Sequence, residues 1–185
     1  MRRTIGACLA GATMALAGCG GDGSAASAAA PPADRALSDQ AALGEKIFAD
    51  TTLSASGRQS CASCHDPAFA HSPANALAVQ LGGPNGDLQG SRKTPGIRYL
   101  ATNLPFFFDS EGTPVGGFFW DGRAANFAAQ ATEPFLHPFE MANADKASVV
   151  AKLAAAPYAA EFRRVFGDRI FDDVESAYLA LSLAV

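Results

Sequence analysis

The sequence predicts a mainly α-helical domain in which long irregular loops join short helices. Apolar residues recur at helical spacing after Ala36, and no segment alternates polar and apolar residues as a strand would. Stretches rich in Gly and Pro separate the helical patterns. The chain has 185 residues, of which 49% are hydrophobic and 17% charged, so it can bury one core. This composition excludes a disordered chain and a fibre.

The N-terminal segment has the composition of an export signal followed by a tether. Arginines at positions 2 and 3 precede an apolar run over residues 5–18, too short for a membrane-spanning helix of about 20 residues. The run ends Leu-Ala-Gly-Cys, a pattern that resembles the lipobox of bacterial lipoproteins. We predict a signal peptide over residues 1–18, lipidation of Cys19, and a flexible Gly/Ala/Ser/Pro tether over residues 19–36.

An ordinary signal peptide, cleaved within the small residues at 24–30, is the alternative and would leave a periplasmic protein without an anchor. Either interpretation places the mature chain in the periplasm, and the first attaches it to a bacterial membrane by lipid alone. The formal net charge is −4 and the chain has no basic stripe, so nucleic acid is not an expected partner.

A first helix is predicted from Ser38 to about Asp50, with Ser38 as N-cap; its inward residues would be Leu43, Ile47 and Phe48. Residues 51–123 are predicted to be mainly irregular. A loop region of this length in a compact domain requires an organising element other than secondary structure, and a large buried cofactor would supply one.

Four further helices are predicted after the loops. They run from Ala124 to Glu133 with Pro134 as the stop, from Asp145 to Ala155, from Pro157 to a C-terminal Gly167, and from about Asp172 onward. Their inward residues would be Val149, Val150, Leu153, Tyr158, Phe162, Val165, Phe166, Val174, Tyr178 and Leu181. The last helix has no C-terminal capping signal, so we expect the sequence to be an N-terminal fragment of a longer protein.

The motif Cys61-Ala62-Ser63-Cys64-His65 carries the chemistry of the chain. Two thiols at this spacing can bond to both haem vinyl groups while the adjacent histidine coordinates the iron, which indicates covalent haem c and a cytochrome c-like haem domain. A zinc site, with His71 as a further ligand, and a thioredoxin-like redox pair are the alternatives. Zinc would need a second Cys pair and a redox pair would need a βαβ setting, and the sequence predicts neither.

The sixth coordination position of the iron decides between an electron carrier and an enzyme. A carrier would fill that position with Met141 or His71, whereas an open position would bind substrate. Glu140 precedes Met141, and a carboxylate near haem could move a proton between the two oxygens of a peroxide. His137 could enter the same pocket or cap the turn before Pro138.

Several motifs together resemble the bacterial dihaem cytochrome c peroxidases and their MauG-like relatives. The matching segments, covering residue 38 to the end, are Leu43-Gly44-Glu45-Lys46-Ile47-Phe48, Leu53-Ser54, the haem motif extended to Asp66-Pro67, Arg92-Lys93-Thr94-Pro95, Phe119-Trp120-Asp121-Gly122-Arg123-Ala124, Gln130-Ala131, Pro134-Phe135-Leu136 and Glu140-Met141-Ala142-Asn143.

The resemblance implies an N-terminal peroxidatic haem domain over residues 37–185, with the second haem domain missing. Cys61 and Cys64 would then be thioether anchors and His65 the proximal ligand. Glu140 would carry the proton during peroxide cleavage, Gln130 would position the peroxide, and Trp120 would lie on the electron path between two haems.

The resemblance also implies hydrogen peroxide as substrate, a small cytochrome c or a copper protein as electron donor, and a homodimer. Family members carry a removable distal histidine further along the loop than His71, so an open pocket of the MauG-like kind is an alternative. The family's calcium has no clear ligand in this sequence and is unassigned.

Several of these residues also allow interpretations in which they only stabilise the fold. Trp120 could belong to the core, the Phe106–Phe108 and Phe118–Phe119 clusters could pack around the macrocycle, and Asp121 could form an ion pair with Arg123. We expect a cytochrome c peroxidase. The alternatives are a single-haem electron-transfer module and a MauG-like oxidase acting on a protein or organic substrate.

Overall fold

The structure is a computed structural model that describes residues 37–185. The predicted signal peptide, Cys19 and the whole tether lie outside the described residues. Six α-helices are present in the described part: α1 (Asp39–Ala49), α2 (Cys61–Cys64), α3 (Phe127–Leu136), α4 (Lys146–Ala155), α5 (Ala159–Phe166) and α6 (Val174–Ala184). The predicted mainly α fold is therefore confirmed.

Helix α6 forms the centre of the helical core, where α1, α3 and α4 pack against it. The fully buried large side chains come from these helices, from α5 and from the turn after α1; they are Leu43, Ile47, Leu53, Phe135, Val149, Leu153, Phe162 and Leu181. Helices α1 and α6 approach so closely that a Cβ on Gly44 would lie 2.0 Å from the carbonyl oxygen of Ala184. A glycine is required at this contact.

Side-chain caps fix the starts of four helices. Ser38, Asn126, Asp145 and Asp173 each accept a hydrogen bond from a backbone N–H in the first turn of α1, α3, α4 and α6. The predicted starts of α1 and α4 are thus confirmed, and so are the buried positions of Leu43, Ile47, Val149, Val150, Leu153, Tyr158, Phe162, Tyr178 and Leu181.

Four predicted helix boundaries are wrong. Helix α3 begins at Phe127, because the cap is Asn126, and it continues through Pro134 to Leu136. Pro134 lies in the last turn, where its missing N–H costs a single helical hydrogen bond. Helix α5 begins at Ala159, so Pro157 precedes the cap, and Asp172 lies in a separate 3-10 turn before α6.

The segment between α1 and α3 is irregular, as predicted, and contains two short antiparallel ribbons. Strand β1 (Leu81–Gly82) pairs with β2 (Leu88–Gln89), and β3 (Phe107–Phe108) pairs with β4 (Pro114–Val115). Their registers are Leu81 with Gln89 and Phe107 with Val115. Each ribbon is only two residues long, which explains why no alternating pattern is visible in the sequence.

The loops also contain short 3-10 turns at Thr51–Leu53, Pro67–Phe69 and Leu100–Thr102. Within residues 37–185, none of the helices combines the length and the apolar character that crossing a membrane requires.

Candidate haem and catalytic site

The haem motif forms helix α2, a single turn that projects both thiols from one short element. The N–H of Ser60 donates to Ser63 Oγ at 3.0 Å, and the N–H of His65 donates to the Cys61 carbonyl at 2.8 Å, so the turn is closed at both ends. Cys61 and Cys64 are not joined by a disulfide and both remain partly accessible. Both thiols are therefore available for thioether bonds.

The imidazole of His65 is oriented by one backbone contact. Its Nδ1 lies 3.3 Å from the carbonyl oxygen of His71, which fits an Nδ1–H donor and leaves Nε2 with its lone pair. Burial lowers the pKa of His65, which favours the neutral ring. A neutral ring with a free Nε2 and a fixed orientation is suited to bind iron.

The electrostatics of the two thiols do not fit a thiolate site. Burial raises the pKa of Cys61 to about 12 and also raises the pKa of Cys64. Reactive and redox-active cysteines instead have lowered thiol pKa values. Among residues 37–185, no group of three or more His, Cys, Asp or Glu side chains could hold a metal ion. The zinc and redox-pair interpretations therefore lack support from the described residues.

Glu140 lies in the turn that follows α3. Burial is the main cause of the raised pKa of Cys61 and Cys64, and the negative charge of Glu140 raises both pKa values further. Its backbone carbonyl accepts a hydrogen bond from the N–H of Gly83 at 2.8 Å. Desolvation raises the pKa of Glu140, so this carboxyl group keeps its proton to a higher pH than a free glutamate, while its side chain remains 51% exposed.

His137 is the nearest basic partner of Glu140, with 3.5 Å between His137 Nδ1 and Glu140 Oε1. The backbone of His137 closes the turn after α3, because its carbonyl accepts the N–H groups of Glu140 at 3.0 Å and Ala142 at 3.1 Å. The same turn therefore holds both the imidazole and the carboxylate.

Gln130 lies partly buried on α3, and its backbone N–H donates to the Asn126 carbonyl at 3.0 Å. In the described part of the chain, no hydrogen bond joins its side chain to Glu140. Its role in positioning peroxide stays a prediction.

Trp120 lies at the surface, with 69% of the residue exposed. The interpretation of Trp120 as a core residue is therefore wrong. The guanidinium of Arg92 stacks over its ring, 3.6 Å from the centroid. The exposed ring remains compatible with the predicted electron path, which stays a prediction.

Arg123 connects the Trp120 segment to α3. It forms the predicted ion pair with Asp121 at 2.9 Å, a second one with Glu133 at 2.7 Å, and stacks over Phe119 at 3.7 Å. The predicted Asp121–Arg123 pair is thus confirmed, and the pair with Glu133 was not predicted.

The two residues considered as alternative iron ligands lie in different surroundings. His71 adopts a left-handed backbone with φ of +58°, its Nδ1 accepts a hydrogen bond from Arg98 Nε at 3.2 Å, and its ring contacts Phe48. Because its own carbonyl contacts His65 Nδ1, His71 lies beside the predicted proximal ligand, His65. Met141 is 5% exposed and packs in the helical core, which disfavours it as an iron ligand.

The sequence did not indicate the role of Gly82. A Cβ at Gly82 would lie 2.0 Å from the Phe139 carbonyl oxygen and 2.9 Å from the Glu140 Cα. The Gly82-Gly83 pair therefore packs directly against the backbone that carries the carboxylate. The glycine pair itself was the available signal, because a close backbone approach is one reason for glycine in a strand.

Exposed apolar side chains provide an independent test of whether haem fits. The described residues leave many large apolar side chains exposed between Phe69 and Phe139, among them Leu81, Leu88, Leu104, Phe106, Phe107 and Phe108. Exposed apolar surface of this extent marks a binding site or an interface. Together with two free thiols and an oriented imidazole, these side chains fit an apolar macrocycle.

Comparisons with known proteins support the interpretation of this site as a haem site. The family model described as di-haem cytochrome c peroxidase matches residues 38–185. The chain belongs to the di-haem cytochrome c peroxidase family. The predicted resemblance is thus confirmed, and membership implies haem c as the prosthetic group and an oxidoreductase as the protein class.

Two members of the family show how similar this sequence is to known proteins. The chain is 44% identical over 161 residues to the methylamine utilization protein MauG of Paracoccus denitrificans, covering 84% of this chain and 41% of MauG. It is 30% identical over 129 residues to cytochrome c551 peroxidase of Nitrosomonas europaea, covering 70% of this chain and 34% of that protein.

The diheme peroxidase BthA of Burkholderia thailandensis has a similar solved structure. Its TM-score is 0.74 at 33% identity, and the match covers 81% of this chain and 38% of BthA. The chain therefore spans between about a third and two fifths of the length of these relatives.

Proposed function

We propose that this chain is the N-terminal, peroxide-reducing haem c domain of a cytochrome c peroxidase. The observation that carries the proposal is that α2 presents two unpaired thiols and an oriented imidazole in a chain that the di-haem cytochrome c peroxidase family model matches over residues 38–185. Glu140, whose pKa is raised by desolvation, can serve as the general acid–base for peroxide cleavage.

Each residue of the site has a separate proposed role. In the haem-loaded protein, Cys61 and Cys64 would hold the macrocycle by thioether bonds, and His65 would bind the iron through Nε2. Bound in this way, haem c supplies the redox-active iron that transfers electrons to the peroxide. Glu140 takes a proton from the incoming peroxide and returns it to the departing oxygen, and Gln130 orients the peroxide by hydrogen bonding.

The reduction of one hydrogen peroxide to two waters consumes two electrons and two protons. We propose that a second haem, in a C-terminal domain beyond residue 185, collects the electrons from a small cytochrome c or a copper protein, and that Trp120 lies on their path. The protein would function in the periplasm, lipid-anchored through Cys19, as a homodimer. Calcium is not assigned to any residue of this chain.

A MauG-like oxidase acting on a protein or organic substrate is the second candidate. The identity of 44% to a MauG, against 30% to a cytochrome c551 peroxidase, favours it. Both candidates need an open sixth position and differ in the electron source, so the electron donor discriminates between them. A peroxidase oxidises a reduced small cytochrome, whereas an oxidase withdraws electrons from its substrate.

The substitution Glu140→Gln tests the proposal, because it keeps the size of the side chain and removes its proton-transfer chemistry. In the full-length, haem-loaded protein, we expect peroxide turnover with a reduced cytochrome to fall about 10²–10⁴-fold while the haem spectrum is retained. The control is Glu111→Gln, which removes a carboxylate exposed on the β3–β4 hairpin.

Equal turnover in Glu140→Gln and the wild type would contradict the proposal. A low-spin ferric spectrum that peroxide does not change would instead support the single-haem electron-transfer module.

A further inference from the structure

We propose that the His71 side chain, held by Arg98, positions the His71 carbonyl on Nδ1 of His65, the proposed iron ligand. His71 is then a positioning residue for that ligand and is not itself a distal ligand. The inference rests on the proposed function, in which His65 binds the haem iron. The observation behind it is a continuous series of contacts from Arg98 through His71 to the imidazole of His65.

The loop after the haem motif presents this carbonyl through an uncommon backbone conformation. Ala70 and His71 are both left-handed, with φ of +57° and +58°. This conformation is unfavourable for residues with a Cβ, so two of them in succession require compensating contacts. Two of these contacts close the loop: the His71 N–H donates to the Asp66 carbonyl at 2.8 Å, and the Asp66 N–H donates to the Ser72 carbonyl at 3.2 Å.

The His71 side chain supplies further contacts to other parts of the fold. Its Nδ1 accepts a hydrogen bond from Arg98 Nε at 3.2 Å. Its ring lies edge-on to Phe48 of α1, with 6.0 Å between the ring centroids. A side chain held at two points resists rotation of its own backbone. The two contacts therefore keep the His71 carbonyl turned toward His65.

The same contacts disfavour His71 as an iron ligand. Because Nδ1 accepts from Arg98, the neutral ring carries its proton on Nε2, and neither ring nitrogen has a free lone pair for a metal. The His71 carbonyl lies 3.3 Å from His65 Nδ1, whereas the iron would be bound by Nε2, which points away from Nδ1 in the imidazole ring. His71 thus lies behind the proposed iron ligand.

The hydrogen bond at His65 Nδ1 affects the bond that Nε2 would make to iron. An acceptor at the second ring nitrogen fixes the orientation of a metal-bound imidazole and raises its basicity. A carbonyl held in place at His71 therefore strengthens the bond from His65 to iron. A displaced carbonyl neither orients the ring nor raises its basicity, so that bond weakens.

The test compares His71→Ala with His71→Asn in the full-length, haem-loaded protein. Alanine removes the acceptor for Arg98. Asparagine keeps one, because its Oδ1 is bonded to Cγ as the histidine Nδ1 is, and asparagine tolerates a left-handed backbone. Resonance Raman spectroscopy of the ferrous protein measures the stretching frequency of the bond between iron and His65. We expect this frequency to fall in His71→Ala and to keep the wild-type value in His71→Asn.

Arg98→Ala tests the same hydrogen bond from its other end, because Arg98 is exposed and its substitution leaves the haem loop unchanged. The frequency should fall here as well. In the double variant it should fall no further than in His71→Ala alone, since both substitutions remove the same hydrogen bond. Lys93→Ala is the matched control: it removes an exposed positive charge from the same segment and should leave the frequency unmoved.

An unmoved frequency in His71→Ala and Arg98→Ala would overturn the inference, and so would an equal fall in His71→Ala and His71→Asn. A low-spin wild type that becomes high-spin in both His71 variants would also overturn it, because His71 would then be the distal ligand.

The fate of the proposed function is read separately. Loss of turnover in Glu140→Gln would support that function whatever the Raman result, and normal turnover in Glu140→Gln would overturn it. If His71→Ala takes up too little haem to measure, Arg98→Ala decides: a lowered frequency supports the positioning role of His71, and a wild-type frequency overturns it.

Discussion

Asn143 is a buried polar side chain that joins three segments of the chain. Its Nδ2 donates to the carbonyls of Leu53 at 2.7 Å and Phe135 at 2.8 Å, and its Oδ1 accepts from Lys152 Nζ at 2.6 Å. Asn143→Ala would leave these groups without their partner in a site that is 5% exposed. We expect the free energy of unfolding to fall by about 2 kcal/mol, measured by denaturant titration of the haem-loaded protein.

Two further variants test whether the lower free energy of unfolding comes from the lost hydrogen bonds or from mutation in general. Asn143→Asp keeps the size and the contact to Lys152 but loses both donors, so it should be destabilised as well. Asn85→Ala, at an exposed turn, should change the free energy by less than about 0.5 kcal/mol. Wild-type stability in Asn143→Ala would show that this network contributes nothing.

Strand β1 packs through Gly82 against the backbone of Glu140, the proposed catalytic residue. Because a Cβ at this position would lie 2.0 Å from a backbone oxygen, Gly82→Ala must displace either the strand or the Phe139–Glu140 backbone. A displacement of about 1 Å in a catalytic group can cost about 100-fold in rate. We therefore expect Gly82→Ala to retain covalent haem, by its optical spectrum, and to lose much of its peroxide reactivity in stopped-flow measurements.

Gly96→Ala is the matched control, because nothing lies within 4 Å of the added Cβ and the residue is exposed. It should react like the wild type. If Gly82→Ala were equally reactive, the strand would not position Glu140.

Helices were predictable from the sequence to the extent that local interactions determine them. Ser38 and Asp145 are capping residues whose effect lies within one turn, and both helix starts were correct. Pro134 was misinterpreted as a stop, because it lies in the last turn of α3, where its missing N–H costs one hydrogen bond and the helix still continues to Leu136. The β ribbons and the contact of Gly82 with Phe139 join residues distant in the chain, which no local pattern reports.

At the scale of the whole molecule, the haem motif was predictable because all its attachment groups are contiguous. Glu140 could be named from the family motif, but its environment depends on α2, α3 and the β1 segment together. The exposure of Trp120 and the position of His71 beside His65 likewise arise from loop packing around the site. Sequence alone therefore gave the chemistry of the site, while its geometry required the fold.

The predicted attachment of the protein to a membrane depends on Cys19, which lies outside the described part of the chain. If Cys19 is lipidated, its acyl chains supply the membrane affinity, and the tether over residues 19–36 separates the lipid from the haem domain. Cys19→Ser should then move the haem-stained protein from the membrane fraction to the soluble periplasmic fraction, with its haem retained.

Cys8→Ser is the matched control, because Cys8 lies inside the predicted signal peptide and is removed with it. This variant should remain in the membrane fraction. Should Cys19→Ser also stay there, the lipid anchor would be refuted. If the wild type is already soluble, the ordinary signal peptide cleaved within residues 24–30 is the correct interpretation, because cleavage there would remove Cys19 from the mature chain.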